Sequence, residues 1–451
     1  MSDFDVIVLG GGPAGEHCAA RLADDGLHVA IVERELLGGE CSYWGCIPSK
    51  TLVRPGEALQ AAREAPGARE AVAGPVDAAA AFAWRDFMVS GYDDAGQAAW
   101  AAGEGIEVLR GAGRLDGPGR VRVGGETYTA SDIVIATGSD PVLPPIPGLR
   151  ELDGVWTNRE ATGVTELPRR LLVLGGGPVG LELGQALARM GTSVAIVEGM
   201  PHLLGREPEA LGVAIAEALT AEGIELHLGR RAASAWRDGD DYVVELEDST
   251  ELRGDRLLVA TGRRPRIRDL GLETLGIEPG RGGIPVDARM NAGPGVWAIG
   301  DATGIWPLTY VGKYQGRVAA ANIVGRHREA DYSAVPRVVF TDPQAAAVGA
   351  ADGPLTATVS LADVPRTATY TRAYDAKPGF MTLVSDGERL TGAFAVGPDA
   401  GEWLQQATLA IRARVPLDVF ADVIQPFPTF SEVFLHALQE LGAEQPATAP
   451  A

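Results

Sequence analysis

Cys41 and Cys46 lie five residues apart in the segment GGECSYWGCIPSK, which spans residues 38–50. Two thiols at such a short spacing are typical of a redox-active pair or of part of a metal site. Residues five apart on a regular helix point about 140° apart around its axis, so a disulfide would place Cys41 in a distorted turn. Three nearby glycines give the backbone the freedom that such a turn needs.

The residues around the second cysteine predict a helix that begins beside it. Pro48 suits the first turn of a helix, which places Cys46 near the helix N-terminus. The positive end of a helix favours the thiolate form of a cysteine, and Lys50 adds a positive charge one turn further on. This arrangement favours redox chemistry at the pair.

Two other interpretations of the cysteines remain. A structural zinc site needs four ligands, commonly two cysteine pairs, whereas this chain has three cysteines and six scattered histidines. We therefore predict no metal ligands. The other alternative is a pair of buried, unreactive thiols. Cys18, the third cysteine, faces the core by its spacing on the first predicted helix, and we expect it to be inert.

The element that positions the pair is one of two copies of a nucleotide-binding unit. Residues 5–33 and 170–198 each predict a strand, a Gly-x-Gly-x-x-Gly turn, a helix and a second strand that ends in an acid. Such a turn lets the backbone approach a pyrophosphate at the helix N-terminus, and the acid accepts hydrogen bonds from a ribose. A tight turn without a ligand is the alternative. The predicted nucleotide-binding residues are Gly10, Gly12, Pro13, Ala14, Gly15 and Glu33 in the first copy and Gly175, Gly177, Gly180 and Glu198 in the second.

Shorter segments also repeat. Residues 135–138 (IATG) and 259–262 (VATG) each follow a short predicted strand that closes a nucleotide-binding domain. Residues 296–301 (VWAIGD) predict a further strand, and the acid at its C-terminal edge suits a ligand hydroxyl as well as it suits a helix cap. The further cofactor contacts that we predict are Gly39, Thr137, Gly138, Gly262, Gly300 and Asp301.

The composition limits the classes of function. A length of 451 residues corresponds to about three domains. The net charge of −21 argues against a nucleic-acid partner, whose phosphates such a surface would repel. No apolar run is long enough to span a membrane, so we expect no membrane partner. The acidic N-terminus is unlike a signal peptide, and sparse cysteines fit a cytoplasmic location.

Two flanking regions have patterns of their own. Residues 56–105 are rich in alanine and glutamate and predict long helices over the first domain. From Val335 onward the pattern changes to strands around one helix near 400–413. The predicted strands lie at 337–340, 357–360, 380–385 and 391–396. Because this tail lacks a Gly-rich nucleotide loop, we expect it to serve another purpose, such as dimerisation.

The whole chain resembles the class I pyridine nucleotide–disulfide oxidoreductases, which include dihydrolipoamide dehydrogenase and glutathione, mycothione and mercuric reductases. The family motif GGxCxxxGCxPSK is highly specific and reads GGECSYWGCIPSK here. The resemblance implies FAD on the first nucleotide-binding unit, NAD(P)H on the second, and Asp301 at the ribityl chain of the flavin. It also implies that Cys46 lies nearest the flavin, that Cys41 is the exchange thiol, and that Lys50 pairs with Glu182 beside the flavin N5.

The resemblance further implies the architecture. The expected fold class is α/β, with two Rossmann-like three-layer nucleotide-binding domains and an α+β C-terminal dimerisation domain. The expected segments are 1–149 (FAD-binding domain, first part), 150–262 (NAD(P)-binding domain), 263–334 (FAD-binding or central domain, second part) and 335–451 (dimerisation domain). The expected partner is a second copy of the chain, whose C-terminal domain completes the active site.

The chain departs from the family in its C-terminal motif. The family has His-Pro-Thr-x-x-Glu, in which the His is the acid/base for the exchange thiol, whereas residues 427–432 read FPTFSE. Phe427 therefore stands at the His position, and Glu432, which would orient that His, remains. A positioned His contributes about 10²–10⁴-fold to a proton transfer that Phe cannot perform. We do not expect efficient turnover of an ordinary disulfide; His436, one turn past Glu432, is the candidate replacement.

These observations predict a FAD-dependent oxidoreductase that passes electrons from NAD(P)H through FAD to Cys41–Cys46 and on to an unidentified acceptor. The acceptor classes are a thiol or disulfide compound, a quinone and a metal ion. One alternative is a reductive-cleavage or carboxylase-type enzyme that uses a proton-poor site at Phe427, and another is a flavoprotein subunit with a mainly binding role. Glu198 favours NADH because an acid repels a 2′-phosphate, although Arg206 is close enough in sequence to reach one.

Overall fold

The computed structural model of the chain describes residues 2–371 and 379–442. Its strands are β1 (Phe4–Leu9), β2 (Val29–Glu33), β3 (Glu107–Arg110), β4 (Gly113–Leu115), β5 (Arg120–Val123), β6 (Glu126–Ile135), β7 (Ser139–Pro141), β8 (Arg170–Leu174), β9 (Ser193–Glu198), β10 (Glu225–Leu228), β11 (Ala232–Asp238), β12 (Asp241–Leu246), β13 (Glu251–Gly254), β14 (Arg256–Val259), β15 (Arg263–Pro265), β16 (Asn291–Gly293), β17 (Val296–Ala298), β18 (Arg337–Val339), β19 (Gln344–Gly349), β20 (Leu355–Ser360), β21 (Phe380–Ser385) and β22 (Leu390–Gly397). Its α-helices are α1 (Pro13–Asp24), α2 (Gly39–Tyr43), α3 (Cys46–Glu64), α4 (Ala78–Met88), α5 (Ala95–Gly103), α6 (Asn158–Thr162), α7 (Pro178–Met190), α8 (Glu209–Ala221), α9 (Thr309–Ile323), α10 (Pro365–Tyr370), α11 (Ala400–Trp403), α12 (Gln405–Ala413), α13 (Leu417–Ala421) and α14 (Val433–Glu440). None of these helices is long and apolar enough to cross a membrane.

The first compact unit is built from residues 2–49, 83–142 and 262–331. Its main sheet has the strand order β16-β17-β6-β1-β2-β3, and the hairpin of β4 and β5 joins it beside β6. β1 pairs in parallel with both β2 and β6, and β6 pairs in parallel with β17. α1 connects β1 to β2 and packs against α9.

The apolar sequences of its central strands explain why this sheet is buried in the interior of the unit. The sequences of β1 and β2, FDVIVL and VAIVE, are almost continuously apolar, and every residue of β2 is buried. Such runs suit parallel strands that are covered on both faces, unlike the alternating pattern of a half-exposed strand. The core of the unit includes Ile7, Leu9, Val32 and Ile133.

The second compact unit comprises residues 50–82, 143–261 and, within the described chain, 332–442. Its first sheet has the order β10-β9-β8-β14, and all of its pairs are parallel. A three-stranded antiparallel sheet, β11-β12-β13, is inserted between β10 and β14. A five-stranded antiparallel sheet, β18-β19-β22-β21-β20, follows, and α12 and α14 pack against it.

The two Gly-rich turns fold alike, one in each unit. The first glycine of each turn has a positive φ, 107° at Gly10 and 116° at Gly175. A Cβ at either position would collide with a carbonyl oxygen, of Ala136 or of Ala260, directly after β6 or β14. Both positions therefore require glycine.

The two predicted ATG segments do follow strands, β6 and β14, which pair with β1 and β8. The strand before the first of them is not short, since β6 has ten residues.

The prediction of long helices over residues 56–105 is only partly confirmed. The 19-residue helix α3 begins before this range, and α4 and α5 have 11 and 9 residues. Pro66-Gly67 and Gly74-Pro75 separate α3 from α4, because both residue types disfavour a helix interior. Residues 50–82 group with the second unit, whereas the sequence predicts helices over the first domain.

The predicted C-terminal strands are confirmed, but the structure has more helices than the one predicted, since α10, α13 and α14 are also present. Strands β18, β20, β21 and β22 occupy the four predicted segments, and α11 and α12 divide the predicted helix at Leu404. β19 is absent from the prediction, because its sequence QAAAVG is rich in alanine, which favours helix over strand.

Candidate active site

Cys41 and Cys46 form a disulfide between the end of one helix and the start of the next. α2 ends at Tyr43, α3 begins at Cys46, and the Cα atoms of the two cysteines are 4.7 Å apart. We call residues 38–46 the disulfide turn. The expectation that Cys41 itself sits in a distorted turn is wrong, since it lies in the short helix α2. The irregular backbone falls at Trp44, where the helix is interrupted, so each cysteine keeps a helical environment.

Glycine backbones bring the disulfide turn against the first Gly-rich loop. The Gly38 N–H donates to the Gly11 carbonyl at 2.7 Å. A Cβ on Gly39, whose φ is 60°, would come within 2.7 Å of the Gly12 Cα, which is closer than packed carbons approach. The sequence predicts Gly39 as a cofactor contact, and the structure places it directly beside the nucleotide loop.

Cys46 lies where two helices begin. It is the first residue of α3, and its Sγ is 3.2 Å from Oγ1 of Thr309, the first residue of α9. The N-terminus of a helix favours negative charge, so this position favours a thiolate after the disulfide is reduced. The Thr309 hydroxyl is placed to donate a hydrogen bond to that sulfur.

Two hydrogen bonds and an ion pair connect Asp301 with the disulfide turn through two other side chains of the first unit. Ser139 Oγ donates to Asp301 Oδ2 at 2.6 Å, and Arg263 Nε donates to the same Oγ at 2.8 Å. Arg263 Nη2 lies 3.4 Å from Glu40 Oε1, next to Cys41. The helix-cap alternative for Asp301 is wrong, because Ile299 is the N-cap of the 3-10 helix Gly300–Thr303.

The other residues predicted around this loop are also brought together. A Cβ on Gly300 would lie 3.2 Å from the Cβ of Ala14, which follows Pro13 in the first turn of α1. Thr137 Oγ1 donates to a backbone carbonyl at 2.7 Å rather than pointing to open space. Gly138 and Gly262 both have positive φ, and no described atom lies within 4 Å of a Cβ built on either.

Both Gly-rich loops leave room for a pyrophosphate. Gly12 and Gly177 are the N-cap residues of α1 and α7, and neither makes a side-chain cap. A Cβ on Gly177 would meet no described atom within 4 Å, and one on Gly12 would meet only Gly39, at 4.0 Å. Helix N-termini beside open space suit the phosphates of a dinucleotide, so both loops fit the cofactors that the sequence implies.

The acids that close the two nucleotide units are held in the same way. Glu33 accepts the Gly11 N–H at 2.8 Å and Glu198 accepts the Gly176 N–H at 2.7 Å. The second oxygen of each carboxylate accepts the N–H two residues further on, at 2.7 and 2.8 Å. A carboxylate offers about four lone-pair sites, so each acid keeps capacity for ribose hydroxyls.

In the second unit, Lys50 and Glu182 form the predicted ion pair. Lys50 Nζ is 2.6 Å from Glu182 Oε2, and the Phe340 N–H donates to Glu182 Oε1 at 3.0 Å. The Glu182 side chain is 5% exposed and that of Lys50 is 38% exposed. The ammonium also lies 4.6 Å from the centre of the Phe340 ring. The buried carboxylate is thus satisfied at both oxygens.

Another acid, the partly buried Glu16, lies in the first turn of α1. Its Oε1 is buried and has no hydrogen-bond partner among the described residues. Burial, and then the negative charge of Glu33, raise the pKa of the Glu16 carboxyl to about 7, although Lys313 opposes the shift. Cys18 in the same helix is also buried, as predicted, and burial raises the pKa of its thiol to about 12.

The two ends of the C-terminal motif, residues 427–432, differ in burial. Phe427 is 72% exposed, whereas Glu432 is buried. Glu432 forms a capping box with Thr429, whose N–H donates to Glu432 Oε2 at 3.3 Å. Glu432 therefore stabilises the start of the helical segment that leads into α14, which carries a partly buried His436. No three His, Cys, Asp or Glu side chains of the described chain gather into a group that could hold a metal.

Sequence reasoning missed Thr309, Ser139, Arg263 and Glu40. Two of them carried a signal: Ser139 and Arg263 each follow the glycine of a repeated ATG segment, so a polar residue stands at the same place in both repeats. Antiparallel pairing of β7 with β15 brings these two positions together. Thr309 had no comparable signal, because only the fold places α9 beside the disulfide turn.

Comparisons with known proteins agree with this architecture. The profile of the "Pyridine nucleotide-disulphide oxidoreductase" family matches residues 4–316, and that of its dimerisation domain matches residues 335–438. A dihydrolipoyl dehydrogenase from Thermus scotoductus is 37% identical over 98% of both chains. A mercuric reductase from Acidithiobacillus ferrooxidans is 37% identical over 95% of this chain and 81% of its own.

A solved structure has the same fold. The HOCl-induced flavoprotein disulfide reductase RclA from Escherichia coli is 27% identical, with a TM-score of 0.85 over 96% of this chain and 99% of its own. These matches cover both the nucleotide-binding part and the dimerisation domain. The chain thus belongs to the pyridine nucleotide–disulphide oxidoreductase family and is an NAD(P)H-dependent FAD disulfide oxidoreductase whose redox disulfide is Cys41–Cys46.

Proposed function

We propose that the enzyme passes two electrons from NADH, through FAD, to Cys41–Cys46 and then to a small acceptor that is not an ordinary disulfide. The observation that carries the proposal is the packing of the disulfide turn on the first Gly-rich loop, from Gly38 to Gly11 and from Gly39 to Gly12. This packing supports electron transfer between a dinucleotide on that loop and the disulfide.

The bound FAD would supply the conversion between hydride transfer from a nicotinamide and two-electron reduction of a disulfide. The protein supplies the environment for the products. A disulfide that takes up two electrons and one proton becomes one thiol and one thiolate. Cys46, at the start of α3 and beside the Thr309 hydroxyl, is the sulfur that we assign to the thiolate.

Three charged side chains have proposed roles at the flavin. Asp301, held by Ser139, would accept a hydrogen bond from the ribityl chain. The Lys50–Glu182 pair would set the charge beside the flavin N5, because the buried carboxylate fixes the ammonium at 2.6 Å. These assignments follow the family resemblance, and the local geometry of each group supports them.

The second nucleotide loop supports a preference for NADH. Glu198 is fixed by backbone N–H groups, so its negative charge stays where a 2′-phosphate would bind. The Arg231 side chain packs on Gly199, with its Cγ 3.2 Å from a Cβ built there, and Arg206 is also near in sequence. We expect kcat/KM for NADH to exceed that for NADPH. A higher kcat/KM for NADPH would contradict this, and loss of that NADPH preference in Arg231→Met would assign the binding of the 2′-phosphate to Arg231.

Phe427 supports an acceptor that needs no proton from the family His. An acceptor screen under NADH should therefore show weak activity with lipoamide and stronger activity with a quinone or a metal ion. Cu(II) belongs in the screen because a related structure is a Cu(II) complex of RclA, and Hg(II) belongs there because a mercuric reductase is a relative. Phe427→His should raise lipoamide reduction by at least about tenfold. Wild-type turnover of lipoamide that exceeds every other acceptor would overturn this part of the proposal.

The same variant tests the second candidate, a thioether-cleaving or carboxylase-type activity at a proton-poor site. If that activity exists, Phe427→His should raise disulfide-reductase or oxidase side reactions and lower its yield. No other feature of the described residues favours this candidate over electron transfer to a diffusible acceptor.

We also propose that two copies pair through their C-terminal domains and complete each other's active sites. The dimerisation-domain match supports this, as do several exposed apolar side chains in that domain. They are Leu409, Val419, Val423, Ile424 and Phe427. The four segments 1–149, 150–262, 263–334 and 335–451 remain our proposed FAD-binding, NAD(P)-binding, central and dimerisation parts.

A further inference from the structure

We propose that Arg263 is a positioning residue of the redox centre, whose guanidinium compensates the Glu40 carboxylate beside Cys41 and thereby favours the thiolate form of Cys41 in the reduced enzyme. This inference rests on the Cys41–Cys46 disulfide and does not depend on which acceptor or nicotinamide the enzyme uses.

Ser139 fixes the position of Arg263. Arg263 Nε donates to Ser139 Oγ at 2.8 Å, and Nη2 donates to the Ser139 carbonyl at 2.8 Å. The two residues lie on neighbouring antiparallel strands, β7 and β15, in which Ser139 pairs with Pro265 and Arg263 pairs with Pro141. Because two hydrogen bonds hold the planar group, its charge keeps its place even when Glu40 is altered.

Glu40 is part of the disulfide turn. It lies in the first turn of α2, immediately before Cys41, and its carbonyl accepts the Trp44 N–H at 2.9 Å. A Cβ on Gly45 would lie 3.1 Å from the Glu40 carbonyl oxygen and 3.3 Å from the Cys41 Cα. The backbone on both sides of Cys41 is therefore tightly packed, and Glu40 cannot move far without moving the cysteine.

The charges of Glu40 and Arg263 affect how readily Cys41 becomes a thiolate. A carboxylate beside a cysteine opposes the formation of a second negative charge on sulfur. Arg263 Nη2 is 3.4 Å from Glu40 Oε1, and both side chains are mostly buried, at 25% and 23% exposed. Water therefore screens the pair only partly, and the guanidinium offsets the charge of Glu40.

The same guanidinium also supports the carboxylate that we assign to the flavin. Ser139 Oγ accepts a hydrogen bond from Arg263 and donates one to Asp301, at 2.6 Å. Arg263 therefore contacts Glu40, next to the exchange thiol, directly, and it contacts Asp301, proposed for the ribityl chain, through Ser139. Loss of Arg263 should disturb the thiol more directly than the flavin, because Glu40 contacts Arg263 itself.

A charge cycle on the full-length, FAD-containing enzyme tests the proposal. The protein is reduced with dithiothreitol and desalted anaerobically, and iodoacetamide alkylation of Cys41 is followed against pH by peptide mass spectrometry. Arg263→Met should move the alkylation midpoint upward by roughly half a pH unit or more, and Glu40→Gln should move it downward by a similar amount. The double variant should return close to the wild-type midpoint.

Arg266→Met is the matched control. Arg266 is also held by the Ser139 carbonyl, at 3.3 Å, but it pairs with Asp140 instead of Glu40. Its loss should leave the midpoint unchanged. An unchanged midpoint in Glu40→Gln, or a double variant that keeps the full Arg263→Met shift, would overturn the proposal. Because Glu40→Gln alters a partly exposed side chain, it keeps the test open if Arg263→Met does not fold. Dithiothreitol reduction works without NADH, so a failure here is separate from a failure of the proposed electron route.

Discussion

The backbone N–H of Gly38 donates a 2.7 Å hydrogen bond to the carbonyl of Gly11. This single bond ties the segment that carries the disulfide to the loop that would hold the FAD pyrophosphate. The close approach of Gly39 to Gly12 reinforces it. The redox pair and the nucleotide loop are therefore one local structure of the first unit, which is the basis of the proposed electron route.

The open space above the two Gly-rich loops predicts a matched pair of effects. Gly12→Ala and Gly177→Ala should both fold, because a Cβ at either position meets no described atom closer than 4.0 Å. The added methyl group would instead occupy the space of a pyrophosphate. Gly12→Ala should reduce the FAD content of the purified enzyme by at least about tenfold, whereas Gly177→Ala should keep FAD and raise the KM for NADH.

Absorbance spectra and NADH kinetics measure this pair. If Gly177→Ala lost FAD while Gly12→Ala retained it, the assignment of the two cofactors to the two units would be reversed. If both variants had the FAD content and the KM for NADH of the wild type, neither loop would contact a pyrophosphate.

The unequal burial of Lys50 and Glu182 predicts that replacing one residue of the pair lowers the free energy of unfolding more than replacing the other. Lys50→Met leaves a carboxylate that is only 5% exposed with one remaining backbone donor, which should cost about 2 kcal/mol. Glu182→Gln leaves an ammonium that is 38% exposed and that water can solvate, so it should cost under about 1 kcal/mol. Thermal unfolding of the flavin-free protein separates the two. A larger loss in Glu182→Gln would contradict this explanation.

Glu16 predicts a dependence of stability on pH. Its pKa in the folded chain is raised from 4.5 to about 7, so between these values the folded state binds more protons than the unfolded state. Stability should therefore fall as pH rises through this window, by up to about 3 kcal/mol. Glu16→Gln removes the titration and should stabilise the protein more near about pH 8 than near about pH 5. Denaturant unfolding of both proteins at the two pH values measures the difference. Equal stabilisation at both would assign the titration to other groups.

The sequence was sufficient for features that depend on local patterns. Apolar runs and fixed glycine spacings identify the two nucleotide units, because a residue such as Gly10 is required by contacts within its own repeat. The Cys41–Cys46 pairing followed from five-residue spacing and a specific family motif.

Features that depend on tertiary packing were not predictable in the same way. Thr309 reaches Cys46 across 263 positions, and no local pattern reveals this contact. The repeated ATG segments mark the positions of Ser139 and Arg263 but do not reveal the hydrogen bond between them, which spans 124 positions. The break at Trp44 was misplaced because helix geometry alone does not say whether the irregular residue lies at a cysteine or between the two. Strand β19 was missed because its partners β18 and β22, rather than its own alanine-rich sequence, hold it extended.

The most direct test of the electron route is an anaerobic titration of the FAD-containing enzyme with NADH, followed by absorbance. Reduction of Cys41–Cys46 should give a long-wavelength band from a thiolate beside the flavin, and Cys46→Ser should abolish that band while NADH still bleaches the flavin. If the wild type bleaches without developing the band, or if Cys46→Ser keeps it, electrons do not pass from the flavin to this disulfide as proposed.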